Sequence, residues 1–122
     1  MQANPVVWWE LASHDAERSV AFFREVFGWT IEYDAKAGFF RLPAPADSGG
    51  IGGGIFTLRK ARLPFLTLYI QVEDIDRKAA QVAEAGGLVV EPPLDIGGGS
   101  RICLFNEPSG VTFAMIQQGE GS

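Results

Sequence analysis

The feature that most constrains the fold is an internal repeat with a spacing of 59 residues. Residues 8–31 and residues 67–90 follow the same plan without a gap, and the matched positions include residue types that begin and end helices. Self-similarity at a fixed spacing predicts that one small structural module occurs twice in the chain. The paired positions are Leu11 and Ile70, Asp15 and Asp74, Arg18 and Arg77, Val20 and Ala79, Glu25 and Glu84, Gly28 and Gly87, and Ile31 and Val90.

Each copy opens with a predicted strand that leads into a helix. Residues 6–12 and residues 65–72 are rich in aromatic and β-branched side chains, which is typical of strands. Asp15 and Asp74 then stand at N-cap positions, because a carboxylate accepts the free amide hydrogens of a first helical turn and suits its positive dipole end. The sequence therefore predicts a helix after each aspartate.

Both predicted helices have one apolar face and end at glycine. Apolar side chains recur at helical spacing in each copy, so each helix can cover one side of a sheet. Gly28 in the first copy, and Gly86 with Gly87 in the second, tolerate the left-handed conformation that commonly ends a helix. The apolar positions are Ala16, Val20, Phe23 and Phe27 in the first helix, and Ile75, Ala79, Val82 and Ala83 in the second.

Three short strands are predicted after each helix, which gives the order β-α-β-β-β twice. We predict an α+β fold in which residues 1–122 form a single domain, with module one at about 5–58 and module two at about 64–118. A basic, turn-like linker at 59–63, followed by Pro64, joins the two half-domains. The predicted strands cover residues 30–33, 38–42 and 51–58, and then 88–91, 102–105 and 111–117.

Composition excludes several classes of function. A chain of 122 residues with 47% hydrophobic side chains can form one domain with a sizeable core. Its formal net charge of −5 argues against a nucleic-acid-binding surface, because phosphate contacts need clustered cations. The sequence has neither an apolar run long enough for a membrane span nor the order of a signal peptide, so we expect a cytoplasmic protein. Cys103 is the only cysteine, which excludes an intrachain disulfide.

Three segments together resemble the vicinal oxygen chelate superfamily, which includes glyoxalases and bleomycin-resistance proteins. They are WELASHDAERSVAFFREVFGW, LYIQVEDIDRKAAQVAEAGG and FNEPSGVTFAMI, and with them the resemblance extends over nearly the whole chain. It implies two β-α-β-β-β modules whose mixed sheets curl into a half-open cup with the helices on the outer face. It also implies a homodimer, with a small-molecule site on the concave side.

The chain departs from this resemblance at the positions that it implies for metal ligands. Metal-dependent members place a histidine seven residues before each helix-capping aspartate, where this chain has Trp8 and Thr67. They place an acidic ligand in the last strands, where this chain has Ala114 and, in residues 52–55, only glycine and isoleucine. Indole and methyl groups cannot bind a divalent ion. We therefore expect no metal and no other cofactor.

Alternation along the strands predicts which side chains line the cup. If Trp8 faces the concave side, Glu10 faces it too, whereas Trp9 backs onto the helix. The same argument applies to the second module and makes the cavity largely apolar and aromatic. The predicted ligand-binding residues are Trp8, Glu10, Thr67, Tyr69, Gln71, Ile102, Leu104 and Ala114.

The register of the second module rests on an alternating aliphatic series. A slip of one residue would turn the whole series to the opposite face, so we expect it to back onto the second helix. The equivalent first strands of paired modules lie together in such a fold, which predicts that Trp8 and Tyr69 form opposite parts of one cavity. The aliphatic series consists of Leu66, Leu68, Ile70 and Val72.

Glu10 is the candidate catalytic residue. Burial of a carboxylate beside Trp8 would disfavour its charged form and suit it to act as a general base, although Glu10 could instead reach solvent or pair with a cation. His14, the only histidine, follows the strand on a predicted loop outside the cup. Cys103 alternates with the cup-facing residues and is predicted to be a buried, inert thiol. The glycine clusters lead into strands rather than helices, which argues against a phosphate-binding loop.

Three functions remain open from the sequence. The favoured one is metal-independent binding of a small organic molecule, aromatic or antibiotic-like, in the apolar cup. The alternative is a lyase or isomerase that uses Glu10 as a general base, with Tyr69 or Gln71 orienting the substrate. The third is an interaction role in which the cup is vestigial. The aromatic walls and the single titratable group favour binding over catalysis.

Overall fold

A computed structural model describes residues 3–46 and 49–119 of the chain. Over these residues two helices and eight strands follow one another in the order β-α-β-β-β, which occurs twice. The predicted α+β class and repeated module are therefore confirmed. The chain divides into two compact units, Trp8–Thr67 and the combination of Met1–Val7 with Leu68–Ser122, here called the first and the second unit. No helix in the described part is both long and apolar enough to cross a membrane.

The first unit combines one helix with a four-stranded sheet in the order β2-β3-β4-β1. Strand β1 is parallel to β4, and the β2–β3 and β3–β4 pairs are antiparallel. The elements are β1 (Val6–Ser13), α1 (Ala16–Phe27), β2 (Glu32–Asp34), β3 (Phe39–Leu42) and β4 (Gly52–Thr57).

The second unit repeats this arrangement with longer strands, in the order β5-β8-β7-β6. Strand β5 is parallel to β8, and the β6–β7 and β7–β8 pairs are antiparallel. The elements are β5 (Phe65–Gln71), α2 (Ile75–Glu84), β6 (Leu88–Gly97), β7 (Ser100–Asn106) and β8 (Thr112–Gln117).

Both helices begin at the predicted aspartates. Asp15 accepts a hydrogen bond from the backbone N–H of Arg18 at 3.2 Å, and Asp74 accepts one from Arg77 at 3.1 Å. These bonds satisfy amide groups that a first helical turn leaves without an intrahelical partner. Gly28 ends α1 in the left-handed region with φ of 66°.

The last strand of each unit also stabilises the start of its helix. The hydroxyl of Thr57 in β4 accepts a hydrogen bond from the backbone N–H of Ala16 at 3.0 Å. The side-chain oxygen of Gln117 in β8 accepts one from Ile75 at 2.9 Å. Each helix is therefore tied to its own sheet by a side chain at an equivalent place, through a bond between distant parts of the sequence.

Each unit has its own apolar core between the helix and one face of the sheet. In both cores the buried side chains come from the helix, from its sheet and from residues that flank a strand. The core of the first unit contains Ala16, Val20, Ile31 and Ile55, and that of the second contains Val72, Ile75, Cys103 and Met115.

The predicted aliphatic series of β5 is right only for its last two members. Val72 and Ile70 belong to the core beneath α2, whereas Leu68 is half-buried and Leu66 has 60% of its surface exposed. Leu66 lies four residues before Ile70, roughly 13 Å along an extended strand. Only the end of β5 that precedes α2 contributes to that core. Thr67 and Tyr69, on the opposite alternation, are buried.

Strand β6 is much longer than predicted. It runs from Leu88 to Gly97 through Pro92 and Pro93, whereas the turn-forming prolines had suggested an end at residue 91. Proline is tolerated here because β6 is an edge strand of the β5-β8-β7-β6 sheet, where one row of backbone groups needs no ladder partner. The pairing with β7 shifts register at several points along this stretch.

Candidate ligand-binding site

Strand β4 has three consecutive glycines because neighbouring groups occupy the space of a side chain. A Cβ atom on Gly53 would lie 2.0 Å from the ring of Trp9, and one on Gly54 would lie 2.6 Å from the ring of Phe39. A Cβ atom on Gly52 would lie 2.9 Å from a backbone oxygen of β3. Aromatic rings therefore lie directly on the backbone of β4, on both faces of the sheet.

The second glycine cluster has a different role. Gly97, Gly98 and Gly99 have φ of 101°, 63° and 79° and form the turn between β6 and β7. These conformations are accessible to glycine at little cost. Both clusters lead into strands, as predicted, so neither presents a helix N-terminus to a phosphate.

The two adjacent tryptophans of β1 lie on opposite faces of the first unit's sheet. Trp9 packs with the α1 core, where its ring is 5.9 Å from that of Trp29, which in turn stacks on Phe23 at 4.9 Å. Trp8 lies on the other face, here called the distal face, with its ring 6.1 Å from that of Phe39 in an edge-on arrangement. This is the placement that strand alternation predicts.

Arg41 joins the distal aromatic rings to an acidic group. Its guanidinium carbon lies 5.4 Å from the ring centre of Trp8 and 4.9 Å from that of Phe39, within the range of cation–π contacts. Two of its nitrogens donate to one carboxylate oxygen of Asp34, at 3.0 and 3.1 Å. The pKa of Asp34 is lowered from its ordinary value of 3.8. The largest cause is the hydrogen bond from the backbone N–H of Ala37, and the next is the hydrogen bond from Arg41.

Glu10 lies on the distal face of β1, next to Trp8 in alternation, and is half-buried. Its carboxylate accepts a hydrogen bond from the indole N–H of Trp8 at 3.1 Å. In the strand register Glu10 pairs with Gly54, and Gly54 pairs with Arg41. Gly54 has no side chain, and the space above it on the distal face is taken by the ring of Phe39, which lies between the acidic and the basic side chain of this row.

A cavity of about 740 Å³ lies within the first unit, between the β2–β3 hairpin and the end of β4. Glu10 and Phe39 reach it from the distal face, whereas Ile55 and Phe40 belong to the α1 side of the sheet. Five aromatic and two basic residues contribute to its walls. The residues that line the cavity include Glu10, Tyr33, Phe39, Phe56, Arg59, Lys60 and Phe65.

The predicted site residues of the second unit lie together on one face of its own sheet. Strands β5, β8 and β7 place them side by side, with Tyr69 and Ala114 buried and the others more accessible. Among these predicted residues only Tyr69 and Gln71 carry polar side-chain groups. The two rows of paired residues are Tyr69, Ala114 and Leu104, and Gln71, Ile116 and Ile102.

A family comparison decides which group of proteins the chain belongs to. Residues 5–115 match the model of the Glyoxalase/Bleomycin resistance protein/Dioxygenase superfamily. The chain is a member of this superfamily. The resemblance based on the sequence segments is therefore confirmed, and the match extends over both modules.

Curated members of the superfamily resemble the chain over part of their own length. The anthracycline biosynthesis protein DauV of Streptomyces sp. (strain C5) is 26% identical over 127 residues, which cover 92% of this chain and 46% of that protein. The putative glyoxylase CFP32 of Mycobacterium bovis is 26% identical over 117 residues, which cover 95% and 45%. The chain thus spans about half the length of these relatives.

Solved structures of the superfamily have the same fold. A methylmalonyl-CoA epimerase in complex with methylmalonyl-CoA and NH4+ superposes with a TM-score of 0.66 at 18% identity, and covers 98% of this chain and 97% of that one. At this level of identity the similarity concerns the fold alone.

Three positions of this chain correspond to those where the superfamily resemblance implies metal ligands. Of the side chains at these positions, only the hydroxyl of Thr67 could serve as a ligand. Trp8 contacts Phe39, Thr67 is buried near the end of the first unit, and Ala114 is fully buried in β8. Among residues 3–46 and 49–119, no group of three or more His, Cys, Asp or Glu side chains is arranged to hold a metal ion. Metal independence stays a prediction.

His14 and Cys103, the single histidine and the single cysteine, are not among the site residues. His14 is exposed on the turn between β1 and α1. Cys103 is buried in the core beneath α2, and this burial raises the pKa of its thiol. A raised pKa leaves little thiolate at neutral pH, so Cys103 is a poor nucleophile.

Sequence reasoning missed Phe39 and Arg41. The signal was present, because β3 alternates like β1: Phe40 and Leu42 pack against the α1 core, which leaves Phe39 and Arg41 on the distal face. Applying the alternation argument to β3 would have identified both residues. The contact of Arg41 with Trp8 could not be read from spacing, since the two strands are not neighbours in the sheet.

Proposed function

We propose that the chain binds a small organic molecule, aromatic or antibiotic-like, in an apolar site, without a metal. The observation that carries the proposal is the cavity of about 740 Å³ in the first unit, whose walls include the rings of Tyr33, Phe39, Phe56 and Phe65. Its size falls within the range of roughly 300 to 1,000 Å³ that is usual for small-molecule sites. Aromatic walls favour a planar ligand, because rings gain energy by stacking in addition to burial.

The relatives support this class of ligand. One of them is named an anthracycline biosynthesis protein, and the solved epimerase structure contains an organic thioester substrate. Both names are consistent with a superfamily module that accommodates an organic molecule of moderate size.

A thermal-shift screen tests the proposal. The purified protein is heated with a panel of planar aromatic compounds and antibiotics, each with and without added divalent metal. Stabilisation by a compound that does not depend on metal is the expected result, since a ligand that binds only the folded state raises its stability. Elemental analysis after gel filtration is expected to find far less than one zinc, nickel, manganese or iron per chain. About one per chain, with ligands in this site, would contradict metal independence.

The second candidate function is a lyase or isomerase with Glu10 as the general base. The observation that favours it is that Glu10 lines the cavity while the indole of Trp8 holds its carboxylate. The hydrogen bond orients the carboxylate, and a general base must be positioned within reach of the proton that it removes. Glu10→Gln retains an acceptor for Trp8 but removes the base. It is expected to abolish turnover of a substrate and to leave the affinity for a neutral ligand nearly unchanged.

We also propose that the chain forms a homodimer, as its superfamily resemblance implies. Exposed strand edges in a half-open sheet need cover, and a symmetric pair of chains supplies it. Light scattering at micromolar concentration measures the mass directly. A monomer mass across that range would contradict the proposal.

A further inference from the structure

We propose that the ligand of the first unit's cavity is an anion, with an aromatic body against the rings and a negatively charged group at Arg59 and Lys60. This inference rests on the proposed function, because it specifies the ligand of the same cavity. Its charged group belongs to the class of carboxylates, sulfonates and phosphates.

The charge of the cavity is opposite to that of the chain. The chain carries 15 Asp and Glu against 10 Lys and Arg. The cavity is lined by Arg59 and Lys60 against a single carboxylate, that of Glu10. Three of the chain's ten basic side chains occur within residues 59–62. A local excess of cations beside aromatic walls attracts an aromatic anion and repels an aromatic cation.

The basic side chains are held at the cavity by the strand before them. The backbone N–H of Leu58 donates to the carbonyl oxygen of Ser13 at 2.9 Å, and the hydroxyl of Thr57 accepts from the start of α1. The chain immediately before Arg59 is therefore anchored to the sheet and the helix. Arg59 and Lys60 are themselves exposed, so water solvates their polar ends when no ligand is bound.

Glu10 gives the ligand a direction. It lies on β1 with its carboxylate held by Trp8, and a negative group placed next to it would be repelled. The anionic group of the ligand is therefore expected at the end of the cavity formed by Arg59 and Lys60. The uncharged rings of the ligand are expected beside Glu10 and Phe39.

The test compares two probes that differ only in charge. Anilinonaphthalene sulfonate is an aromatic anion, and phenylnaphthylamine is the same skeleton without the sulfonate; both fluoresce when they enter an apolar site. The double variant Arg59→Gln with Lys60→Gln removes the two cations. Arg62→Gln is the matched control, because it removes one cation of the same segment that does not line the cavity.

The expected result is a selective loss. Two exposed ion pairs change an affinity by about thirtyfold at most, so the double variant is expected to bind the sulfonate roughly fivefold to thirtyfold more weakly. The double variant is expected to bind phenylnaphthylamine about as tightly as the parent chain does. Arg62→Gln is expected to bind both probes like the parent chain, and both variants are expected to keep its thermal midpoint. Added salt is expected to weaken binding of the sulfonate alone.

Two results overturn the inference. If both probes bind the parent chain and the double variant holds the sulfonate as tightly as the parent does, the cations do not recognise the ligand and only the proposed binding function survives. An equal loss in Arg62→Gln has the same meaning, because it shows a general charge effect. If neither probe binds the parent chain, the proposed function fails and the inference fails with it.

Discussion

The two units of this chain have equivalent strand registers but different chemistry along the central row of each sheet. In the first unit the row pairs Glu10 with Gly54 and Gly54 with Arg41. In the second unit the equivalent row consists of Tyr69, Ala114 and Leu104. The first row is charged and interrupted by a glycine, whereas the second is apolar and continuous. The repeated backbone thus fixes where a site can form, and the side chains of one copy decide its character.

The parts that both units share are the structural ones. Each helix starts at an aspartate and receives a further side-chain bond from the last strand of its unit. These contacts stabilise the module wherever it occurs, so both copies need them. The cavity with its aromatic rings and cations belongs to the first copy, which makes this copy the place where a binding function is expected.

Replacement of Gly53 by alanine is expected to have the largest effect on the first unit. The new Cβ atom would lie 2.0 Å from the ring of Trp9, which is fixed in the α1 core. Overpacking of this kind lowers the free energy of unfolding by about 3 kcal/mol. Urea denaturation measures it. The same substitution in a Trp9→Leu background is expected to cost far less, and equal costs in both backgrounds would show that the ring is not the obstacle.

Loss of the Trp8 ring tests which unit supplies the ligand contacts. Trp8 holds Glu10 and packs against Phe39, both of which line the cavity, so Trp8→Ala is expected to lower the affinity for an aromatic ligand on the order of 1 to 3 kcal/mol, the scale for a large apolar contact. Titration calorimetry measures the change. In the parent chain the ligand is expected to quench Trp8, whereas Trp9 and Trp29 pack in the α1 core and respond little. Undiminished quenching in Trp8→Phe would place the ligand elsewhere.

The helix caps test whether the structural parts of the two units are equivalent. Asp15→Ala and Asp74→Ala each remove one hydrogen bond to the first helical turn, and each is expected to lower the free energy of unfolding by about 1 kcal/mol. Glu17→Ala, in the first turn of α1 but not its N-cap, is the control and is expected to cost less. A large effect of one cap and none of the other would break the equivalence.

The smallest expected effect concerns two exposed ion pairs, Asp34 with Arg41 and Asp76 with Arg101. Backbone donation from Ala37, and then Arg41, lowers the pKa of Asp34, and donation from Arg101 lowers the pKa of Asp76. Because each carboxyl has a lower pKa in the folded state than in the unfolded state, its ionisation stabilises the fold at pH values above the unfolded pKa near 3.8. This contribution to the free energy of unfolding is lost as the pH falls through the pKa of the folded state.

The measurement is the unfolding midpoint between about pH 5 and pH 2. Asp34→Asn is expected to flatten this profile more than Asp76→Asn does, because Asp34 has backbone donors as well as an arginine. Both effects are expected to be small since the groups are exposed. The reverse order would show that the backbone donors do not distinguish the first pair.

Much of the fold was predictable because its determinants are local. The aspartate caps, the helical spacing of apolar residues and the alternation in β1 depend on short stretches of sequence, and the structure has them where predicted. The extension of β6 through its prolines was not predictable, because it depends on β6 lying at an edge. The grouping of Arg41 with Trp8 was missed for a similar reason, since it requires the order of strands in space.

The contact between Gly53 and Trp9 has a consequence for how the sequence can change over evolutionary time. Because the indole fills the place of a side chain on β4, neither residue can be exchanged freely while the other stays. Relatives with a smaller residue in place of Trp9 are expected to carry alanine or a larger residue in place of Gly53, and those with tryptophan are expected to keep glycine. The two positions should therefore covary, although they stand far apart in the sequence and lie on the side of the sheet that faces α1 rather than on the distal face.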